Sequence, residues 1–97
     1  MTFNQYQKET AKLNIHKKEL NFILCTLGLV GEAGEVSEHV KKFYRDDRAL
    51  DVDEIKKELG DVLWYTAELG RSFGLKLEDI AKANIDKLEA RQKERGR

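Results

Sequence analysis

Apolar residues recur at steps of three and four along almost the whole of this chain, and none of its 97 residues is proline. An α-helix gathers such residues on one face, whereas a half-buried strand needs strict alternation, which is scarce here. The expectation is an all-α fold. A chain of this length buries one modest core, so residues 1–97 are read as a single domain.

Local signals divide the chain into four helices. Thr2 with Gln5 has the form of a capping box, and Phe3, Tyr6, Thr10 and Leu13 then mark one face of a short first helix. Residues 14–20, "NIHKKEL", read as a polar connection. The second helix is expected from near Asn21 to about Tyr44, with an inner stripe at Leu29, Ala33, Val36, Val40 and Phe43. "RDDRALD" breaks the pattern, and Asp51 with Glu54 repeats the capping signal. The stripe of the third helix, Ile55, Leu59, Val62, Thr66, Leu69 and Phe73, ends at a Schellman-like Gly74-Leu75. A fourth helix starts near Leu77, where Glu78 and Asp79 suit the positive pole of its dipole, and its basic tail "RQKERGR" suits the other pole.

Composition narrows the partners. Lys+Arg and Asp+Glu are 18 each and no basic run stands out, so the electrostatic footprint of a nucleic-acid binder is missing. The single cysteine, Cys25, sits in an apolar run and reads as a small core residue, which fits a reducing cytoplasmic setting. That run, "NFILCTLGLV", is too short to span a bilayer and leads straight into Glu32. No leader or membrane anchor is expected.

The chemistry lies in the carboxylates. Glu32 and Glu35 are one turn apart on a column one residue off the apolar stripe of the second helix, together with Gly28 and His39. Glu58, Asp61, Tyr65 and Glu68 form a column with the same offset on the third. If the two helices pack antiparallel, the two-fold axis between them puts both acidic columns beside one groove. Two like unit charges about 4 Å apart repel by roughly 4 kcal/mol at an effective dielectric near 20, so such a groove calls for a cation. An all-oxygen donor set selects a hard divalent ion, Mg²⁺ or Mn²⁺. The alternative is a set of ordinary solvated carboxylates. Glu38, with Lys41 and Lys42 at ion-pair spacing, fits that alternative. Glu32, Glu35 and Glu58 do not, because none has a Lys or Arg three or four residues away; Asp61 has only Lys57. Each interior glycine costs about 1 kcal/mol relative to alanine. Gly34 and Gly60 alternate with these acids, where a missing side chain serves either close backbone approach or room for a ligand.

"GEAGEV" followed by "KKELGDVLWY" and "ANIDKLEAR" resembles the MazG-like nucleotide pyrophosphohydrolases, the all-α NTP pyrophosphatase superfamily, whose signature is E-E-x-x-E and later E-x-x-D. The resemblance covers most of residues 22–91 and is carried by Glu32, Glu35, Glu58 and Asp61. It implies a four-helix MazG-like fold, Mg²⁺ held by those four carboxylates, and hydrolysis of a nucleoside triphosphate to the monophosphate and pyrophosphate. One position departs from the signature. Gly31 stands where its first glutamate belongs, which leaves the water-activating base open between Glu35, Glu38 and the metal. The resemblance also implies that Asn84 and Lys87, with Arg91 one turn on, contact sugar or phosphate. Lys41, Lys42, Arg45 and Lys57 are weaker phosphate candidates. Trp64 and Tyr65 are candidates to stack on a base, against the commoner role of an aromatic in a core. His39 lacks partners at zinc spacing and reads as structural.

Val62, Leu63, Trp64, Tyr65 and Ala67 leave the third helix apolar nearly all round, so a homodimer or homotetramer is expected. A non-catalytic oligomer that keeps a metal or nucleotide site is the second reading. A di-iron bundle ranks lower, for want of Glu-x-x-His pairs.

Overall fold

The computed structural model describes residues 1–96. Four α-helices make up most of it: α1 (Phe3–Leu13), α2 (Asn21–Arg45), α3 (Val52–Ser72) and α4 (Leu77–Glu94), with a short 3₁₀ turn at Lys18–Leu20. Among the described residues there is no strand.

The ends of these helices are fixed locally. Thr2 accepts from the Gln5 backbone N–H at 3.1 Å while Gln5 accepts from the Thr2 N–H at 2.7 Å, which satisfies two otherwise orphaned donors at the start of α1. The Asp51 carboxylate caps α3 by accepting from the Glu54 N–H at 3.1 Å. At the far end Gly74 takes a φ of +70°, which an L side chain disfavours. Its N–H and that of Leu75 then reach back to the carbonyls of Arg71 and Gly70, closing a Schellman motif.

α2 and α3 form an antiparallel hairpin. Facing pairs run in opposite directions along the two helices: Phe22 meets Phe73, Gly28 meets Tyr65, and His39 meets Glu58. A Cβ at Gly28 would collide with the Tyr65 ring, so this glycine sets how closely the helices approach. α1 packs against α3, and polar groups hold it there. Gln7 is buried and donates to the carbonyls of Ala67 and Leu75 while accepting from the Leu77 N–H at 2.9 Å, tying α1 to the α3–α4 turn. Gly70 gives this corner its room, since a Cβ there would stand 2.9 Å from Ile80 Cδ1.

The centre of the hairpin's open end is also polar. Glu68 is fully buried and accepts from Thr10 Oγ1 and Asn14 Nδ2, each at 2.7 Å, and from Arg71 Nε and Nη2 at 2.9 and 3.1 Å. Asn21, buried beside it, donates to the Glu68 carbonyl and to Ser72 Oγ. The connection 14–20 is thus more than a polar linker, because Asn14 and His16 both join this network.

Two expectations need correction. The chain does not close a four-helix bundle on its own, since α4 touches α1 and α3 but not α2. The radius of gyration is 16.1 Å, where a compact domain of about 100 residues has about 13 Å. Among the described residues the buried apolar side chains are only Cys25, Ala67 and Leu77. The second correction concerns α2, whose expected inner stripe is covered only in part, at Leu29 and Val36. Ala33, Val40 and Phe43 are exposed, because the column carrying Gly28, Glu32 and His39 is the one turned into the seam. The helix including Lys18–Arg45 is also long and apolar enough to cross a membrane by length and composition, although "NFILCTLGLV" alone is not. The small residues around Glu32 and Glu35 extend the apolar window.

Candidate metal centre

Turning the acidic columns inward brings carboxylates from two helices together. Oxygens of Glu32 on α2 and of Glu58 and Asp61 on α3 all lie within 4.8 Å of one another. Helix spacing supplies this directly: Glu58 and Asp61 are one turn apart, and the antiparallel pairing sets Glu32 opposite them. Glu32 and Glu58 are half-buried and Asp61 is exposed, so the cluster opens to solvent on one side.

The cluster is short of positive charge. A hydrogen bond shared with Glu58, then desolvation, then the charges of Asp61, Glu58 and Glu35 push the Glu32 carboxyl up to about 7. A proton held on Glu32 relieves the repulsion between the neighbouring carboxylates and lets Glu58 accept from it. The nearest basic side chain is His39, whose Nε2 lies 3.8 Å from Glu58 Oε1. Tyr6 of α1 borders the same site; burial first and Asp61 second push its phenol up. Three carboxylates and no sulfur form a donor set that fits a hard divalent ion.

The other expected site residues divide four ways. Glu35 lies at the margin, exposed and outside the three-carboxylate cluster, yet close enough for its charge to act on Glu32. Glu38 and Lys57 are turned to neighbours on their own helices: Glu38 pairs with Lys41 at 3.8 Å and Lys57 with Glu54 at 3.2 Å. Trp64 is half-buried and packs edge-on against His16 and Tyr65, with ring centroids 6.1 and 5.1 Å apart, which is a packing role. Asn84, Lys87 and Arg91 are all exposed on α4. In this chain α4 does not bring them to α2 and Glu32.

Sequence reasoning underrated two residues. His39 shares the Glu32 column, a signal that the seam would include it, and Glu68 shares the Glu58 column but belongs to the structural network instead. Gly31, Gly34 and Gly60 have open space where a Cβ would stand, so close packing inside this chain does not explain them.

Comparison with known proteins agrees with this geometry. A protein of Mycobacterium phage L5, "Gene 37 protein", is 43% identical over 75 residues, which is 73% of this chain and 65% of the phage protein. The chain therefore spans just under two thirds of that relative's length. No solved structure gives a significant match. The family described as "MazG nucleotide pyrophosphohydrolase domain" matches residues 21–96, from the first residue of α2 past the end of α4. With the paired acidic columns of α2 and α3 inside that span, the chain belongs to the MazG nucleotide pyrophosphohydrolase family.

Proposed function

We propose that this chain, as a single domain, is a divalent-metal-dependent nucleoside triphosphate pyrophosphohydrolase acting as a homo-oligomer. The reaction is NTP + H₂O to NMP + pyrophosphate: the water oxygen bonds to phosphorus, the bridging P–O bond between the α and β phosphates breaks, and the water proton passes to base or solvent. The observation that carries this reading is the three-carboxylate cluster within 4.8 Å, with Glu32 pushed up to about 7 by its acidic neighbours.

Glu32, Glu58 and Asp61, with Glu35 at the margin, are the residues that would hold Mg²⁺ or Mn²⁺. The ion supplies charge neutralisation on the phosphate oxygens and a fixed direction for in-line attack. Glu35 is the better placed of the two candidate bases, since it is exposed beside the cluster while Glu38 is paired with Lys41. Asn84, Lys87 and Arg91 are the proposed contacts to sugar and phosphate, as exposed donors on one helix. House-cleaning of non-canonical nucleotides is the role this chemistry suits.

The test is pyrophosphate release from a panel of NTPs and dNTPs with Mg²⁺. Release that disappears with a chelator and in Glu58→Gln is the expected result. A folded, metal-binding protein that releases none from any nucleotide favours the second reading, a non-catalytic nucleotide or metal binder. The specific observation behind that reading is Gly31, which puts no carboxylate where the family signature has its first glutamate.

A further inference from the structure

The seam between α2 and α3 holds a nitrogen donor beside its carboxylates. His39 Nε2 lies 3.8 Å from Glu58 Oε1, and the two side chains are mostly covered, at 27% and 19% exposure. An oxygen of Glu58 also belongs to the cluster with Glu32 and Asp61, so Glu58 faces the other carboxylates and the imidazole at once. The partner that sequence spacing does not give His39 thus comes from α3. Glu35 stands four residues before His39 on the same face of α2. That spacing is one at which a helix offers two ligands to a single ion.

The separation of His39 and Glu58 discriminates between two roles. A hydrogen bond from a ring N–H to a carboxylate spans about 2.7–3.2 Å, and 3.8 Å is beyond it. Two donors that each hold one ion at about 2.1 Å lie about 3 Å apart when at right angles and about 4.2 Å apart when opposed. The observed distance falls inside that window. Chemistry points the same way. A seam that needed only positive charge would be served by Lys or Arg, yet neither occurs in the column of Gly28, Glu32, Glu35 and His39 or in that of Glu58, Asp61, Tyr65 and Glu68. A neutral imidazole brings a lone pair instead, which an ammonium or guanidinium lacks.

We propose that His39 Nε2 is a ligand of a divalent cation that Glu35 and Glu58 also hold, so that the centre prefers a first-row transition ion, Mn²⁺, to Mg²⁺. Carboxylate oxygens bind both ions, whereas an imidazole suits transition metals and adds little for Mg²⁺, which keeps its waters. His16, the other histidine, is tied by its Nδ1 to Asn21 Oδ1 at 3.1 Å, in the structural network at the hairpin's open end. The inference rests on the metal-centre part of the reading above and not on its hydrolysis.

The test is pulsed electron paramagnetic resonance of the full chain loaded with Mn²⁺. Expected is a nitrogen-14 modulation from one imidazole, which changes to the nitrogen-15 pattern when histidine is isotopically labelled and disappears in His39→Gln. By calorimetry, that variant should lose roughly tenfold or more in Mn²⁺ affinity and less than about threefold in Mg²⁺ affinity. If it does not fold, the labelled wild-type spectrum decides. Mn²⁺ bound without nitrogen coupling overturns the proposal and leaves the carboxylate centre standing; an equal loss of affinity for both ions overturns it too, since that is what a packing role gives. Nitrogen coupling in a protein that releases no pyrophosphate sinks the enzyme reading alone, and an active enzyme without coupling sinks this inference alone. Binding of neither ion removes both.

Discussion

Glu58 and Glu68 occupy the same column of α3, ten residues apart, and their surroundings differ completely. Glu68 is fully buried, and burial acts to raise its pKa, but hydrogen bonds from Arg71, Asn14 and Thr10 outweigh that and hold the carboxyl below its ordinary value. Glu58 faces Glu32 and Asp61, and the result is a proton retained on Glu32 up to about 7. The difference shows what separates a structural acid from a candidate ligand. Burial does not decide it; the sign of the charges and donors aimed at the carboxylate does. Glu68 is complete within the chain, whereas the Glu32 cluster has too many negative charges and too few donors.

The largest effect should come from attacking the complete site. Glu68→Ala leaves Arg71, Asn14 and Thr10 without their acceptor, and denaturant unfolding at pH 7 should show a loss of about 3 kcal/mol, the low end for a broken buried pair because Arg71 is partly exposed. A loss below about 1 kcal/mol would erase the contrast. Next, Glu58→Gln should lower turnover at least a hundredfold, about 2.7 kcal/mol of barrier, while the metal-free protein becomes no less stable, because a source of repulsion is removed. Reduced metal-free stability would show that Glu58 is as structural as Glu68.

The two acids also give opposite responses to pH. The folded value of Glu32 is raised from 4.5 to about 7. Its contribution to metal-free stability is therefore fully present below 4.5 and is lost as pH rises through about 7. Glu68 is lowered, so its contribution is present above its ordinary value and is lost as pH falls through the lower folded value. Thermal melts of metal-free protein should accordingly decline on both sides of mildly acidic pH, and Mg²⁺ should lift the alkaline side alone. Metal titration by calorimetry at pH 6 should release close to one proton, and at pH 8 almost none. The smallest effect is expected at Lys41→Ala, where an exposed ion pair with Glu38 is removed: within about 0.5 kcal/mol in stability and no change in turnover. A large loss of turnover there would bring Glu38 back as the base.

Part of this contrast is legible before folding. Glu32, Glu35 and Glu58 lack basic neighbours at helical spacing, and that absence marks the cluster. Glu68 has Arg71 three residues on, a local sign that it is partnered, but Thr10 and Asn14 are more than fifty residues away. The inner stripe expected on α2 is exposed at Ala33, Val40 and Phe43 for a comparable reason. Periodicity reports that a face is apolar without saying which neighbour covers it.

The sequence by itself determined the four helices, their caps at Thr2, Asp51 and Gly74, and the matched acidic columns. Each of these follows from contacts between residues no more than about four apart, which hold whatever the rest of the chain does. Tertiary structure alone decided how α2 turns about its own axis. The close fit of Gly28 to the Tyr65 ring and the Glu68 network at the hairpin's open end turn the carboxylates into the seam and leave Ala33, Val40 and Phe43 exposed. Those contacts join residues tens of positions apart, and their geometry exists only once the helices have met.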